Sequence, residues 1–198
     1  MFYLFQLLIS LRHTHCILNI VVFDVEATCW EGAPPPNETK EIIELGAVRL
    51  NRFGEEQSRF SKVIKPVVNP QLSYYCKQLT GIDQRSIHRA SPFPRVIEEF
   101  QNWAELYDDD YLLVSWGKED VRLLRSDCAL HRVEDYWLEP HINLKRAYKE
   151  VKGLPKPIGL RRALEREGFE FDGRHHRGLD DAFNTVKIFV KYLDEWAF

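Results

Sequence analysis

The 198-residue sequence lacks any CxxC pair, and its four cysteines (Cys16, Cys29, Cys76 and Cys128) sit far from any Cys/His cluster at zinc spacing. That excludes a dense disulfide framework and a structural zinc site, and the expectation is reduced thiols in a cytoplasmic protein. No internal repeat, low-complexity tract or interdomain linker breaks the chain. One domain with a sizeable core, spanning residues 19–198, is therefore expected. Positive charge is not in excess, since 27 Lys and Arg against 30 Asp and Glu give a formal net charge of −3. A nucleic-acid partner would need local basic patches, not a global field. The apolar stretch from Met1 to Leu11 has no basic lead-in, is too short to span a bilayer and is followed by no small-residue cleavage site. It belongs to an N-terminal extension, residues 1–18, that reads as a flexible extension, a packed arm or a start codon placed too early. No membrane partner is expected.

What is present is ordinary in bulk, with 44% apolar and 29% charged residues, which argues against extensive disorder. The informative part is local. Ile20-Val21-Val22-Phe23-Asp24-Val25-Glu26 reads as a buried strand, rich in β-branched residues and free of turn-formers. Side chains alternate across a strand, so Asp24 and Glu26 share a face. Two adjacent carboxylates on a half-buried strand repel each other and are costly to desolvate unless a cation neutralises them. A divalent metal with oxygen ligands is the usual answer. The alternative is a strand running out into solvent, and this segment alone does not separate the two.

Further strands are expected at 42–50 and 60–64, joined by a turn at Phe53-Gly54-Glu55. A helix over 72–79 should stop at Thr80-Gly81. A longer amphipathic helix runs through Val96, Ile97, Phe100, Trp103, Ala104 and Tyr107, with Ser91 as cap and Pro92 in the first turn. Asp108-Asp109-Asp110 reads as a solvated turn before a short buried strand at 111–115. Helices are expected over 119–131, 144–151, 158–168 and 179–192. The pattern is that of a layered α/β domain.

Asp120 falls in the first turn of the helix after the 111–115 strand, where an acid is worth at most about 1 kcal/mol if exposed. The segment from Gly173 to Asn184 says more. Leu179, Ala182, Phe183, Val186, Phe189 and Leu193 form an apolar helical stripe. Asp180 aligns with Asn184, Lys187 and Lys191, a polar face. Asp181 aligns with Thr185, Ile188 and Tyr192, which favours Asp181 as the site residue and Asp180 as a cap or surface acid. His176 precedes the helix on a loop punctuated by Gly173 and Gly178, and can fold over the helix start toward Asp181.

In this order, Asp24-x-Glu26, Asp120 and His176-x4-Asp181 resemble the DEDDh group of 3'-5' exonucleases. The context 23–32, Leu79-Thr80-Gly81-Ile82 and Ser115-Trp116-Gly117 is similar to the Eri-type exoribonuclease branch, which includes KapD- and Snipper-like proteins. The likeness runs from about Ile20 to the C-terminus. It implies an α/β RNase H-like fold with a central mixed β-sheet flanked by helices. It also implies that Asp24, Glu26, Asp120 and Asp181 hold two ions of Mg2+ or Mn2+, about 3.5–4 Å apart, for in-line displacement. His176 would be the general base, and Ala27, Thr28, Leu79, Ile82 and His176 would contact substrate. The product would be nucleoside 5'-monophosphates cut from the 3' end of single-stranded RNA. Two departures stand out: Glu119 replaces an aromatic, and His175 rivals His176. Arg174 and Arg177, flanking the base, are the better phosphate contacts beside Lys62 and Lys65. For Trp30 and Trp116, core packing is favoured over base stacking. The alternatives are a DNA-directed exonuclease of the same group and a catalytically silent nucleic-acid-binding module. An interaction protein with incidental acids ranks last.

Overall fold

A computed structural model describes residues 19–32, 35, 39–106 and 110–196. The N-terminal extension, part of the loop after Gly32 and the Asp108-Asp109 pair lie outside the described residues. The centre of the fold is β1 (Asn19–Ala27). It pairs antiparallel with β2 (Ile42–Leu50) and parallel with β5 (Tyr111–Ser115). On the β2 side follow β3 (Glu56–Lys65) and the two-residue β4 (Ser91–Pro92); beyond β5 lies β6 (His141–Asn143). The sheet order is β4-β3-β2-β1-β5-β6.

The helices are α1 (Tyr74–Thr80), α2 (Gln84–Arg89), α3 (Phe93–Ala104), α4 (Glu119–His131), α5 (Leu144–Val151), α6 (Leu160–Glu167) and α7 (Gly178–Lys191). Strand alternation divides β1 between two cores. Val21, Phe23 and Val25 pack with Val96, Ile97 and Phe100 of α3 and Leu124 of α4. Ile20 and Val22 pack on the other face with Leu144 and Tyr148 of α5, Leu164 of α6 and Ile188 and Phe189 of α7. Asp24 and Glu26 continue that second face toward the C-terminal end of β1. They meet the start of α7 where apolar packing ends.

Two glycines make that meeting possible. A Cβ on Gly46 of β2 would fall on the backbone of Leu179, and one on Gly178 would press on the Gly46 nitrogen. The first turn of α7 therefore rests directly on the β1–β2 backbone. One register shift, between Glu26 and Ala27, bends the chain out of the sheet beside the acids.

Some elements differ from the sequence expectation. Ser91 does not cap α3: it pairs with Ile64 in β4, and Pro92, whose fixed φ suits a helix start, takes the cap position with no side-chain hydrogen bond. That helix ends at Ala104, where Glu105 turns left-handed. The short elements α2, capped by Asp83, and β6 carry too few residues for a periodic signal. Gly46→Ala is expected to lower stability by about 3 kcal/mol through backbone overlap, read as a reduced urea midpoint with unchanged slope.

Candidate active site

At the end of β1, one carboxylate oxygen from each of Asp24, Glu26 and Asp181 lies within 4.8 Å of the other two. The cluster floors a pocket of about 420 Å³ whose walls include Ala27, Leu79, Trp116, Leu123, Leu160, His175 and His176. Asp120 is not among those three close oxygens. It is buried in the first turn of α4, and its carboxylate accepts the Val25 amide at 3.4 Å. It is nonetheless the largest charge acting on Asp24.

The electrostatics follow from crowding. Burial, then the charges of Asp120, Asp181, Glu26 and Glu44, hold the Asp24 carboxyl well above the usual range. Burial and then Asp181, Glu44 and Asp120 push Glu26 up to about 8. Burial raises Asp120 to about 6 against the pull of the Val25 amide. Burial likewise raises Asp181 to about 6, partly offset by the His176 and Arg177 amides. No side-chain cation is bonded to Asp24, Glu26 or Asp181 among the described residues, save the two histidines that approach them. An all-oxygen donor set without thiolates fits a hard divalent cation.

The loop before α7 carries both histidines. His176 has φ 66°, a left-handed backbone that is uncommon for a non-glycine residue. Its amide donates to Asp181 Oδ2 at 2.7 Å and that of Arg177 donates to the same oxygen at 3.2 Å. The side chains diverge. His176 Nδ1 lies 4.0 Å from Glu26 Oε1, while His175 Nε2 lies 3.6 Å from Asp181 Oδ1, its ring edge-on to Phe171. The two rings are 4.0 Å apart, so both reach the pocket. Burial lowers both imidazoles from their ordinary range, and each also feels a cationic or imidazole neighbour. Asp180 does not enter the cluster; it accepts the Arg174 amide at 2.8 Å and shapes the loop.

Sequence reasoning missed the anchor of that loop. Glu44 on β2 is 1% exposed and binds Arg177 through Nε and a terminal nitrogen, the shortest contact being 2.7 Å. It also accepts the Gly178 amide at 2.9 Å. A bidentate pair of this kind locks the His176 segment and the α7 start to the sheet. The available signal was an acid among the apolar residues at the start of β2. Arg177, expected at phosphate, is thus committed internally. Arg174 turns to the carbonyl of Gln78 at 2.9 Å, and Lys62 pairs with Glu99. Two expected substrate contacts also lie behind the wall. Thr28 is buried, its hydroxyl accepting the Glu41 amide at 3.0 Å, and Ile82 packs with Ile43, Leu72 and Ile87. Ala27 and Leu79 do line the pocket. Trp116 is packed, 7% exposed, against Tyr148.

This geometry can be set beside known proteins. The model of the RNase T family, described as exonuclease, matches residues 21–189. The chain belongs to that family. Human 3'-5' exoribonuclease 1 is 35% identical to this exonuclease-family chain over 184 residues, covering 89% of the chain and 52% of the relative. The Drosophila melanogaster 3'-5' exonuclease Snipper is 29% identical over 202 residues, covering 90% and 70%. The solved nuclease domain of 3'hExo, a DEDDh family member bound to rAMP, superposes with a TM-score of 0.81 at 35% identity, over 89% of this chain and 92% of that one. The fold is therefore the RNase H-like exonuclease fold. The chain spans about half the length of the mammalian 3'-5' exoribonuclease 1 proteins it matches.

The raised carboxyls dictate how metal-free protein responds to pH. Between an unfolded glutamate value of about 4.3 and the folded value of Glu26, the folded state binds more protons than the unfolded state. The site's contribution to stability therefore falls as pH rises through that window. A divalent cation competes with those protons, so it should bind more tightly at high pH. Thermal melts with and without Mn2+ should show a larger metal-induced rise in Tm at about pH 8.5 than at about pH 6. Glu26→Gln should flatten that difference.

Proposed function

We propose that this chain is a metal-dependent 3'-5' exonuclease that removes nucleoside 5'-monophosphates from the 3' end of single-stranded RNA. The observation that carries the reading is the convergence of Asp24, Glu26 and Asp181 on one point of a nucleotide-sized pocket, with Asp120 directly behind. These four residues would hold the divalent ions, Mg2+ or Mn2+. When bound, such ions supply a water made nucleophilic near neutral pH and charge relief for the leaving 3'-oxygen.

The protein's own groups do the rest. His176, its imidazole held neutral by burial, takes a proton at Nδ1, the nitrogen that faces the acids. Leu79 and Ala27 offer an apolar wall to the terminal nucleoside, and the buried Glu44–Arg177 pair holds the base's loop in register. His175 lies close enough to share the proton but leans on Phe171 and toward Asp181. The preference for RNA is supported by the exoribonuclease names of relatives covering most of this chain and by the rAMP in the similar nuclease domain. The continuous sheet and the two cores flanking it support one catalytic domain over residues 19–198. Among the described residues no helix is long and apolar enough to cross a membrane. The free thiols of Cys29, Cys76 and Cys128 fit a reducing compartment such as the cytoplasm.

The test follows 5'-labelled RNA and DNA oligonucleotides of matched sequence with Mg2+, Mn2+ or EDTA. The expected result is a ladder shortening from the 3' end, faster on RNA, and abolished reversibly by EDTA. Asp24→Asn should lose at least about a hundredfold in kcat. His176→Ala should cost more than His175→Ala. A ladder that persists in EDTA or in Asp24→Asn contradicts the mechanism, and the reverse order of the histidines moves the base to His175.

A further inference from the structure

The face that carries the acidic pocket carries a second cavity, also of about 420 Å³, lined by Gly117, Lys118, Glu119, Asn143, Lys145, Arg146 and Pro157. Glu119 borders both cavities, so the two adjoin across the start of α4. A third cavity of about 210 Å³ lies against Lys156, Ile158, Arg162 and Arg166. Pro157, between Lys156 and Ile158, lines the second cavity, and this chain segment joins the two.

Several cations elsewhere on the surface are paired: Arg59 with Glu56, Lys62 with Glu99, Arg125 with Glu139, Lys187 with Asp172. Among the described residues Lys118, Lys145, Arg146, Lys156, Arg162 and Arg166 have no carboxylate oxygen within 4.0 Å, although the charge of Arg146 acts on Glu150 one turn along α5. The one acid bordering these two cavities, Glu119, is held by Arg122 at 2.7 Å. Placement adds to the cost. Lys145 and Arg146 occupy the first turn of α5 and Lys118 caps α4, positions where the helix dipole disfavours positive charge. Three cations set against the dipole converge on one cavity whose single carboxylate, Glu119, is already paired with Arg122, and such a cavity suits a polyanion.

We propose that these two cavities form a track for the phosphodiester backbone of the strand upstream of its 3'-terminal nucleotide. The inference rests on the exonuclease reading and extends it. The acidic pocket repels phosphate except where metal is bound, so it cannot supply general affinity for a long strand. Six cations leading away from it can, and because they meet phosphate and not base edges, they do so without sequence preference. The track makes long single strands better substrates than short ones, although the chain as a whole is negative.

The test compares the full chain with a Lys145→Glu/Arg146→Glu variant. Acids are favoured in a first helical turn, so these changes should not endanger folding. Two substrates are used: an oligouridylate of about twelve nucleotides, and a uridine dinucleotide whose single phosphodiester is the scissile one. The variant's KM for the long strand should rise about tenfold while its KM for the dinucleotide stays within about twofold. The slope of log affinity against log salt should become shallower by about 1.4, the value for two lost contacts on a single strand. Arg85→Glu/Arg89→Glu on the exposed face of α2 makes the same charge change elsewhere and should move neither substrate. An unchanged KM for the long strand overturns the track, and so does an equal rise for both substrates. If the wild type turns over neither substrate, the exonuclease reading fails by itself. Fluorescence anisotropy of the labelled long strand then judges the track, and equal binding by variant and wild type refutes it.

Discussion

The interaction on which the rest of the structure depends is the mutual repulsion of Asp24, Glu26, Asp120 and Asp181. Each is buried or half-buried, each has a raised carboxyl, and none is neutralised by a lysine or arginine. A fold does not gather four acids in one place unless something else makes the arrangement favourable. Here the compensation comes from the surroundings. The central strand packs on both faces, and two glycines let α7 sit on the sheet backbone. Glu44 and Arg177 then clamp the intervening loop. The site stores an electrostatic cost that a divalent cation can relieve.

A division of labour follows. The β-strand supplies two acids at a fixed separation, because strand alternation leaves no freedom in which face they share. The helices α4 and α7 supply one acid each from their first turns, where side-chain oxygens meet backbone amides. The loop before α7 supplies the imidazoles and is the part most in need of restraint. It receives it from Asp180, Asp181, Glu44 and the amide of buried Asn184, which accepts from and donates to Asp172. The cations of the proposed track lie outside this centre, on the starts of α4 and α5, at Lys156 and on α6.

Much of this was legible in the sequence wherever a periodic signal reports burial. The alternation of β1 put Asp24 and Glu26 together, and the helical wheel of α7 separated Asp181, 5% exposed, from Asp180. The bounds of α4, α5 and β5 match the expected 119–131, 144–151 and 111–115. What stayed hidden depends on contacts between distant segments. Glu44 and Arg177 are 133 residues apart, and nothing local to either announces the pair. Thr28 and Ile82 were expected at the substrate because the residues around them match a family pattern. The bulge after Glu26 turns Thr28 inward to Glu41, and the left-handed Gly81 turns Ile82 into the core. The basic track was equally silent, since its six cations come from four separate segments.

The acid cluster is proposed to trade protons for divalent ions. Calorimetric titration of Mn2+ into the metal-free chain, in buffers of different ionisation enthalpy near pH 7, tests it most directly. The expected result is two ions bound with a net release of protons, because Glu26 is raised to about 8 and Asp24 is held well above the usual carboxylate range when metal is absent. No Mn2+ binding by folded protein, or binding with no proton released, would contradict it.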